Sequence, residues 1–111
     1  MLPPRVAQWI RTHAPPGSLV VGPRSWWVPY QADRPVLESG YPEQEPLTPE
    51  GVKAFLGRFQ GRFPAVYLLV QEDLPEAVSL ERAFRKEGLL EKPGIQQGRW
   101  SVYPLQGNQS R

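Results

Sequence analysis

The chain has 111 residues, enough for one domain that buries roughly two-thirds of its unfolded surface. Hydrophobic residues at 40% and charged residues at 22% exclude a disordered chain and a coiled coil, and the absence of cysteine beside a single histidine, His13, excludes disulfide frameworks, iron–sulfur clusters, cysteine-zinc sites, cysteine nucleophiles and multi-histidine metal centres. The net charge of +2 is dispersed, with Glu38, Glu43, Glu45 and Glu50 interrupting a basic start before Lys53, Arg58 and Arg62 restore it, which argues against the one-signed face of a nucleic-acid binder.

No apolar run approaches the ~20 residues of a membrane span, and no signal-peptide pattern precedes the first helix-like stretch. Fourteen prolines are spread as punctuation and not massed into a linker.

Pro3 and Pro4 open the first predicted helix. Val6, Trp9, Ile10 and His13 follow at helical spacing, and Pro15–Pro16 stop it. Ser18–Gly22 is short, β-branched and apolar on both parities, as a strand buried on both faces would be. Pro23–Ala32 is aromatic and irregular, with room for one helical turn. Pro35–Glu38 reads as a second short strand.

Gly40–Pro46 reads as a loop. Thr48 then supplies a helix N-cap, Pro49 the first helical position, and Val52, Phe55, Leu56 and Phe59 the apolar stripe, with Gly61 as the stop. Ala65–Val70 is apolar throughout and is expected at the centre of the sheet. Pro75 opens a further helix with Ala77, Leu80, Ala83 and Phe84 inward, ended by Gly88. Leu89–Lys92, a turn at Pro93–Gly94, and Arg99–Leu105 close the domain. The last run alternates, Trp100 and Val102 against Ser101, Tyr103 and Leu105, as a strand with one wetter face would, and is expected to form an antiparallel edge with Leu89–Lys92.

Buried strands alternating with amphipathic helices predict an α/β fold. The expectation is a small Rossmann-like sandwich: a mostly parallel sheet of about four or five strands, helices packed on it, and an antiparallel edge at the C-terminus. One domain spans 1–105, and 106–111 form a loose tail.

Motifs of catalysis are missing. A dinucleotide site needs Gly-x-Gly-x-x-Gly after a strand, whereas here Gly22 is followed by Pro23, Arg24, Ser25 and Trp26. Gly57 and Gly61 lack the spacing and the lysine of a P-loop. His13 at the end of the first helix suits capping or packing better than a triad, and no Gly-x-Ser-x-Gly elbow exists. No catalytic residue, cofactor or metal is therefore expected.

Two groups remain as candidates for binding. Glu72 and Asp73 follow the central strand at its C-terminal end, where open α/β sheets bind ligands, and Arg24 follows the first strand at the corresponding end. Trp26, Trp27, Tyr30 and Tyr41 offer a stacking platform for a sugar ring or a surface for another domain. Adjacent residues do not both face inward, so at least one of Trp26 and Trp27 is expected to be exposed.

The landmarks taken together resemble a known group. The first helix carries Val6-Ala7-x-Trp9-Ile10, followed by Pro15-Pro16-Gly17-Ser18-Leu19-Val20-Val21 and Asp33-Arg34-Pro35-Val36. The Ala65–Val70 strand, Leu80-Glu81-x-Ala83-Phe84 and Gly98-Arg99-Trp100-Ser101-Val102-Tyr103 complete the pattern. The chain resembles the soluble C-terminal domain of polytopic membrane glycosyltransferases, the dolichyl-phosphate-mannose-protein mannosyltransferase-like enzymes of bacteria, over nearly its whole length. The resemblance implies a non-catalytic accessory domain on the extracytoplasmic side, whose partner is the transmembrane part of the parent protein or a glycan acceptor.

No transmembrane segment accompanies the domain in this sequence. The helix beginning within about four residues of Met1 fits a domain excised from a longer chain. The alternative is an independent, cytoplasmic small-molecule-binding protein or enzyme for a sugar or phosphate, using Arg24, Glu72 and Asp73. A homodimeric interaction module is a third reading.

Overall fold

The computed structural model of the chain describes residues 1–23, 25–37, 54, 57, 58 and 61–105. The tail 106–111, the loop 40–46 and most of the helix expected after Thr48 lie outside the described residues, although residues 54, 57 and 58 are helical.

Helix α1, Pro4–His13, begins with proline at the position where an N–H has no helical partner. Val6, Ala7 and Ile10 form its buried stripe. Strand β1, Leu19–Val21, is buried at every position. A four-residue helix α2, Val28–Gln31, occupies the aromatic segment. Strand β2, Val36–Leu37, follows.

Strand β3, Val66–Gln71, is the central strand expected from Ala65–Val70. Helix α3, Pro75–Lys86, buries Ala77, Leu80 and Phe84 as its spacing predicts. Strands β4, Ile95–Gln97, and β5, Trp100–Pro104, close the domain.

These form one five-stranded sheet in the order β2-β1-β3-β5-β4. β2 and β3 flank β1 in parallel, with Val20 opposite both Val36 and Tyr67. β5 runs antiparallel to β3, Leu69 opposite Val102, and β4 antiparallel to β5. The architecture is therefore mixed α/β, with a parallel core and an antiparallel edge.

The sheet carries a core on each face. On one, Leu19, Val21, Val66, Leu68, Val70 and Tyr103 meet Ala77, Leu80 and Phe84 of α3. On the other, Val20, Tyr67, Leu69 and Val102 meet Val6, Ala7 and Ile10 of α1 and Val28 and Ala32 at α2. Strands covered on both faces explain why β1 and β3 read as continuous apolar runs.

The C-terminal hairpin departs from the sequence reading in two ways. β5 pairs with Ile95–Gln97 and not with Leu89–Lys92, and the tight turn lies at Gly98–Arg99. Gly98, at φ +61, supplies the left-handed conformation that a two-residue hairpin requires, and Gln97 pairs directly with Trp100 across it. Nor is there a wetter face on β5, because α3 packs there: Ser101, Tyr103 and Leu105 are all buried.

Three polar clamps tie the elements together. The Gln31 side chain pairs with the main chain of Leu2, accepting from its N–H at 2.9 Å and donating to its carbonyl at 3.0 Å. Arg34, only 7% exposed, donates to the carbonyls of Arg11, Ala14 and Asp33. Tyr103 donates to Glu81 Oε2 at 2.6 Å, and Arg85 donates to the same oxygen at 2.9 Å. Among the described residues no helix is long and apolar enough to cross a membrane.

Candidate functional site

The strand order brings the candidate residues to one end of the sheet. β1 and β3 are parallel neighbours, so their C-terminal ends lie side by side. The connection leaving β1 enters α2, which packs on one face, and the one leaving β3 enters α3, which packs on the other. Adjacent strands whose connections part to opposite faces leave a crevice between the loops, the usual ligand position in open α/β sheets. β5 is antiparallel, so its first residues reach the same end.

A crevice of about 470 Å³ occupies that end, lined by Met1, Trp26, Trp27, Gln71, Asp73, Arg99 and Trp100. Its size falls within the ~300–1,000 Å³ typical of small-ligand sites. Gly22 follows β1 at the same end of the sheet. A Cβ there would stand 2.4 Å from the Leu69 carbonyl oxygen, so only glycine lets the end of β1 lie this close to β3. Ser25, fully buried, donates to the Gly22 carbonyl at 2.7 Å and shapes the turn that presents the tryptophans.

Trp26 and Trp27 divide their roles as adjacent residues must. Trp27 packs against the α1-side core, whereas Trp26 is 45% exposed. Their ring centroids are 6.1 Å apart, with the planes tilted by 33°. Trp100 is half-buried against the same core and adds a third indole to the wall.

The polar wall comes from the end of β3 and the hairpin turn. Arg99 Nη1 and Asp73 Oδ2 are 3.6 Å apart, with side chains 74% and 42% exposed. An ion pair this wet contributes well under ~1 kcal/mol to stability, so a ligand can replace it at little cost. Gln71 adds an amide, which both donates and accepts.

The acidic pair expected from the sequence is divided. Asp73 lies in the crevice, whereas Glu72 turns to β4, where Gln96 Nε2 approaches its Oε2 at 3.5 Å. Two carboxylates facing apart cannot share a proton or a substrate atom. Arg24 and Tyr41 lie outside the described residues. Tyr30, 81% exposed on α2, does not line the crevice.

Met1, Gln71, Arg99 and Trp100 are the wall residues that sequence reasoning missed as a site. His13, expected to cap or pack at the end of α1, packs on Trp9. Its Nδ1 lies 3.1 Å from the Trp9 carbonyl oxygen, and its ring stacks on Trp9 at 4.7 Å. Among the described residues no cluster of three or more His, Cys, Asp or Glu is placed to hold a metal ion.

No family model, curated protein or solved structure matches the chain.

Proposed function

We propose that this chain is a non-catalytic binding module that holds a glycan in the tryptophan-lined crevice. One observation carries the reading. Trp26 and Trp27 from the end of β1 and Trp100 from the start of β5 converge on one crevice with Gln71, Asp73 and Arg99. Aromatic area flanked by amide, carboxylate and guanidinium is the chemistry that grips a sugar, whose C–H face is apolar and whose rim is hydroxylated.

The separation of Glu72 from Asp73 favours binding over acid–base catalysis by an independent enzyme. In this reading the fold is a shortened Rossmann-like sandwich, with the parallel β2-β1-β3 unit completed by an antiparallel hairpin. The sequence resemblance supplies the context: an accessory domain of a membrane glycosyltransferase-like protein, on the extracytoplasmic side, presenting its acceptor to the membrane part.

Trp26→Ala tests the reading. Trp26 is the exposed member of the pair, so its loss leaves the fold intact, whereas Trp27→Ala would also remove core packing. On an array of oligosaccharides the wild-type domain is expected to be retained and Trp26→Ala to be lost, with unchanged melting. A wild-type domain that no glycan retains, or a variant retained equally well, contradicts the proposal.

A further inference from the structure

The first residues of the chain are fastened to the turn that carries the tryptophans. The Gln31 carboxamide accepts from the Leu2 N–H at 2.9 Å and donates to the Leu2 carbonyl at 3.0 Å, the two bonds a neighbouring strand would supply. The Leu2 side chain is buried in the α1-side core. Pro3 and Pro4 follow, so φ is fixed at both, and Leu2 itself is confined to extended backbone. The freedom of this arm is therefore left to Met1, which is 77% exposed and lines the crevice with Trp26 and Trp27.

Gln31 belongs to the same short helix as the tryptophan pair. The Trp27 carbonyl accepts from the N–H groups of Tyr30 and Gln31, at 3.1 and 3.0 Å. One turn of helix thus presents the indoles at its start and grips Leu2 at its end. A methionine side chain is unbranched and turns about three bonds, and its sulfur packs favourably on aromatic rings. In a wall otherwise made of rigid indoles, it is the side chain that can adjust to the C–H face of a sugar.

Resting on the glycan reading above, we infer that Met1 is the adjustable wall of the sugar site and that Gln31 is the positioning residue that keeps it there. Met1 folds onto the bound ring, and the Gln31 bonds to Leu2 hold its backbone at the crevice beforehand. Without those bonds the arm must be ordered during binding, and affinity falls.

The chain has a single methionine, so a methyl-labelled methionine gives one resonance that reports on this wall alone. During titration with neutral gluco- and manno-configured tetrasaccharides, the Met1 methyl is expected to shift and to saturate with the sugar. Gln31→Leu, measured well below its melting temperature, is expected to bind about fivefold more weakly. Its Met1 methyl, without sugar, is expected to move toward the position of an unstructured methionine. Gln31→Glu keeps the acceptor for the Leu2 N–H and is expected to lose less affinity. A methyl unmoved by a sugar that binds, or Gln31→Leu binding as tightly as wild type, overturns this inference and leaves the glycan site standing. Tetrasaccharides that do not bind the wild-type domain overturn both.

Discussion

Arg34 reaches the main-chain carbonyl of Ala14 twice, from Nε at 3.2 Å and from Nη2 at 2.8 Å. Nη2 also donates to the Arg11 carbonyl at 3.0 Å, and Nη1 donates to that of Asp33 at 2.8 Å. The carbonyls of Arg11 and Ala14 lie at the end of α1, where helical carbonyls lack partners and the partial charge is negative. The guanidinium therefore caps the helix and fastens the approach to β2 beneath it. Asp33, at φ +56, is the turn that lets Arg34 fold back.

Arg34→Ala is expected to cost about 3 kcal/mol in urea unfolding, since it strips charge-assisted bonds from the buried Ala14 carbonyl and the part-buried carbonyls of Arg11 and Asp33. Arg34→Lys should recover less than half, because an ammonium cannot reproduce the planar fork. An alanine variant within about 0.5 kcal/mol of wild type would remove the capping role.

Gly22 sets the distance between β1 and β3. Its φ of +155 is in glycine's range, and an added Cβ would meet main chain, which cannot swing aside as a side chain would. Gly22→Ala is expected to destabilise the domain by about 2 kcal/mol or more and to weaken glycan binding, since Trp26 and Trp27 hang from the same turn. Unchanged stability would mean that the strands part freely there.

Burial raises the pKa of Tyr103, and its bond to the Glu81 carboxylate raises it further, against an opposing pull from Arg85. Burial likewise raises that of Tyr67, opposed by Arg34. A phenol whose pKa is raised on folding stays protonated longer in the folded chain. Its contribution is complete below about pH 10, the ordinary tyrosine value, and is lost as pH rises through the folded value. Unfolding free energy should therefore fall above about pH 10.

Tyr103→Phe should cost about 1 kcal/mol at neutral pH, by removing the hydroxyl between Glu81 and Arg85. Its deficit should shrink as pH climbs past about 10. Urea titrations across that range give the comparison. A deficit constant to about pH 11 would contradict the role of the hydroxyl.

The elements that local pattern determines were readable in the sequence. α3 has proline at its start, an apolar stripe at helical spacing and Gly88 at φ +74 beyond its end. β3 has five consecutive buried positions, and its place between β1 and β5 follows from that burial. The hairpin was misread because Pro93–Gly94 and Gly98–Arg99 are both plausible turns by residue type. Packing chooses between them. Gly94 lies so close to the Trp9 indole that a Cβ would stand 2.2 Å from it, so this glycine serves a contact with α1 and not the reversal.

The site was half legible for a related reason. Trp26, Trp27 and Asp73 follow parallel strands, where the ligand rule points directly. Arg99 and Trp100 precede a strand, and they join the site only because β5 runs antiparallel to β3. Strand direction is a long-range property, and no local signal in Gly98-Arg99-Trp100 carries it. The divergence of Glu72 from Asp73 likewise depends on where β4 lies.

The chain's four tryptophans provide the decisive measurement: three line the crevice, and the fourth, Trp9, is stacked with His13 and set edge-on to Tyr67 at α1. Their indole N–H resonances can be followed while a neutral tetrasaccharide is titrated into the labelled domain. The resonances of Trp26, Trp27 and Trp100 are expected to move together along one binding curve while that of Trp9 stays fixed. Movement of Trp9 with the other three still would put the ligand elsewhere, and four unmoved resonances would mean that this crevice does not bind sugar.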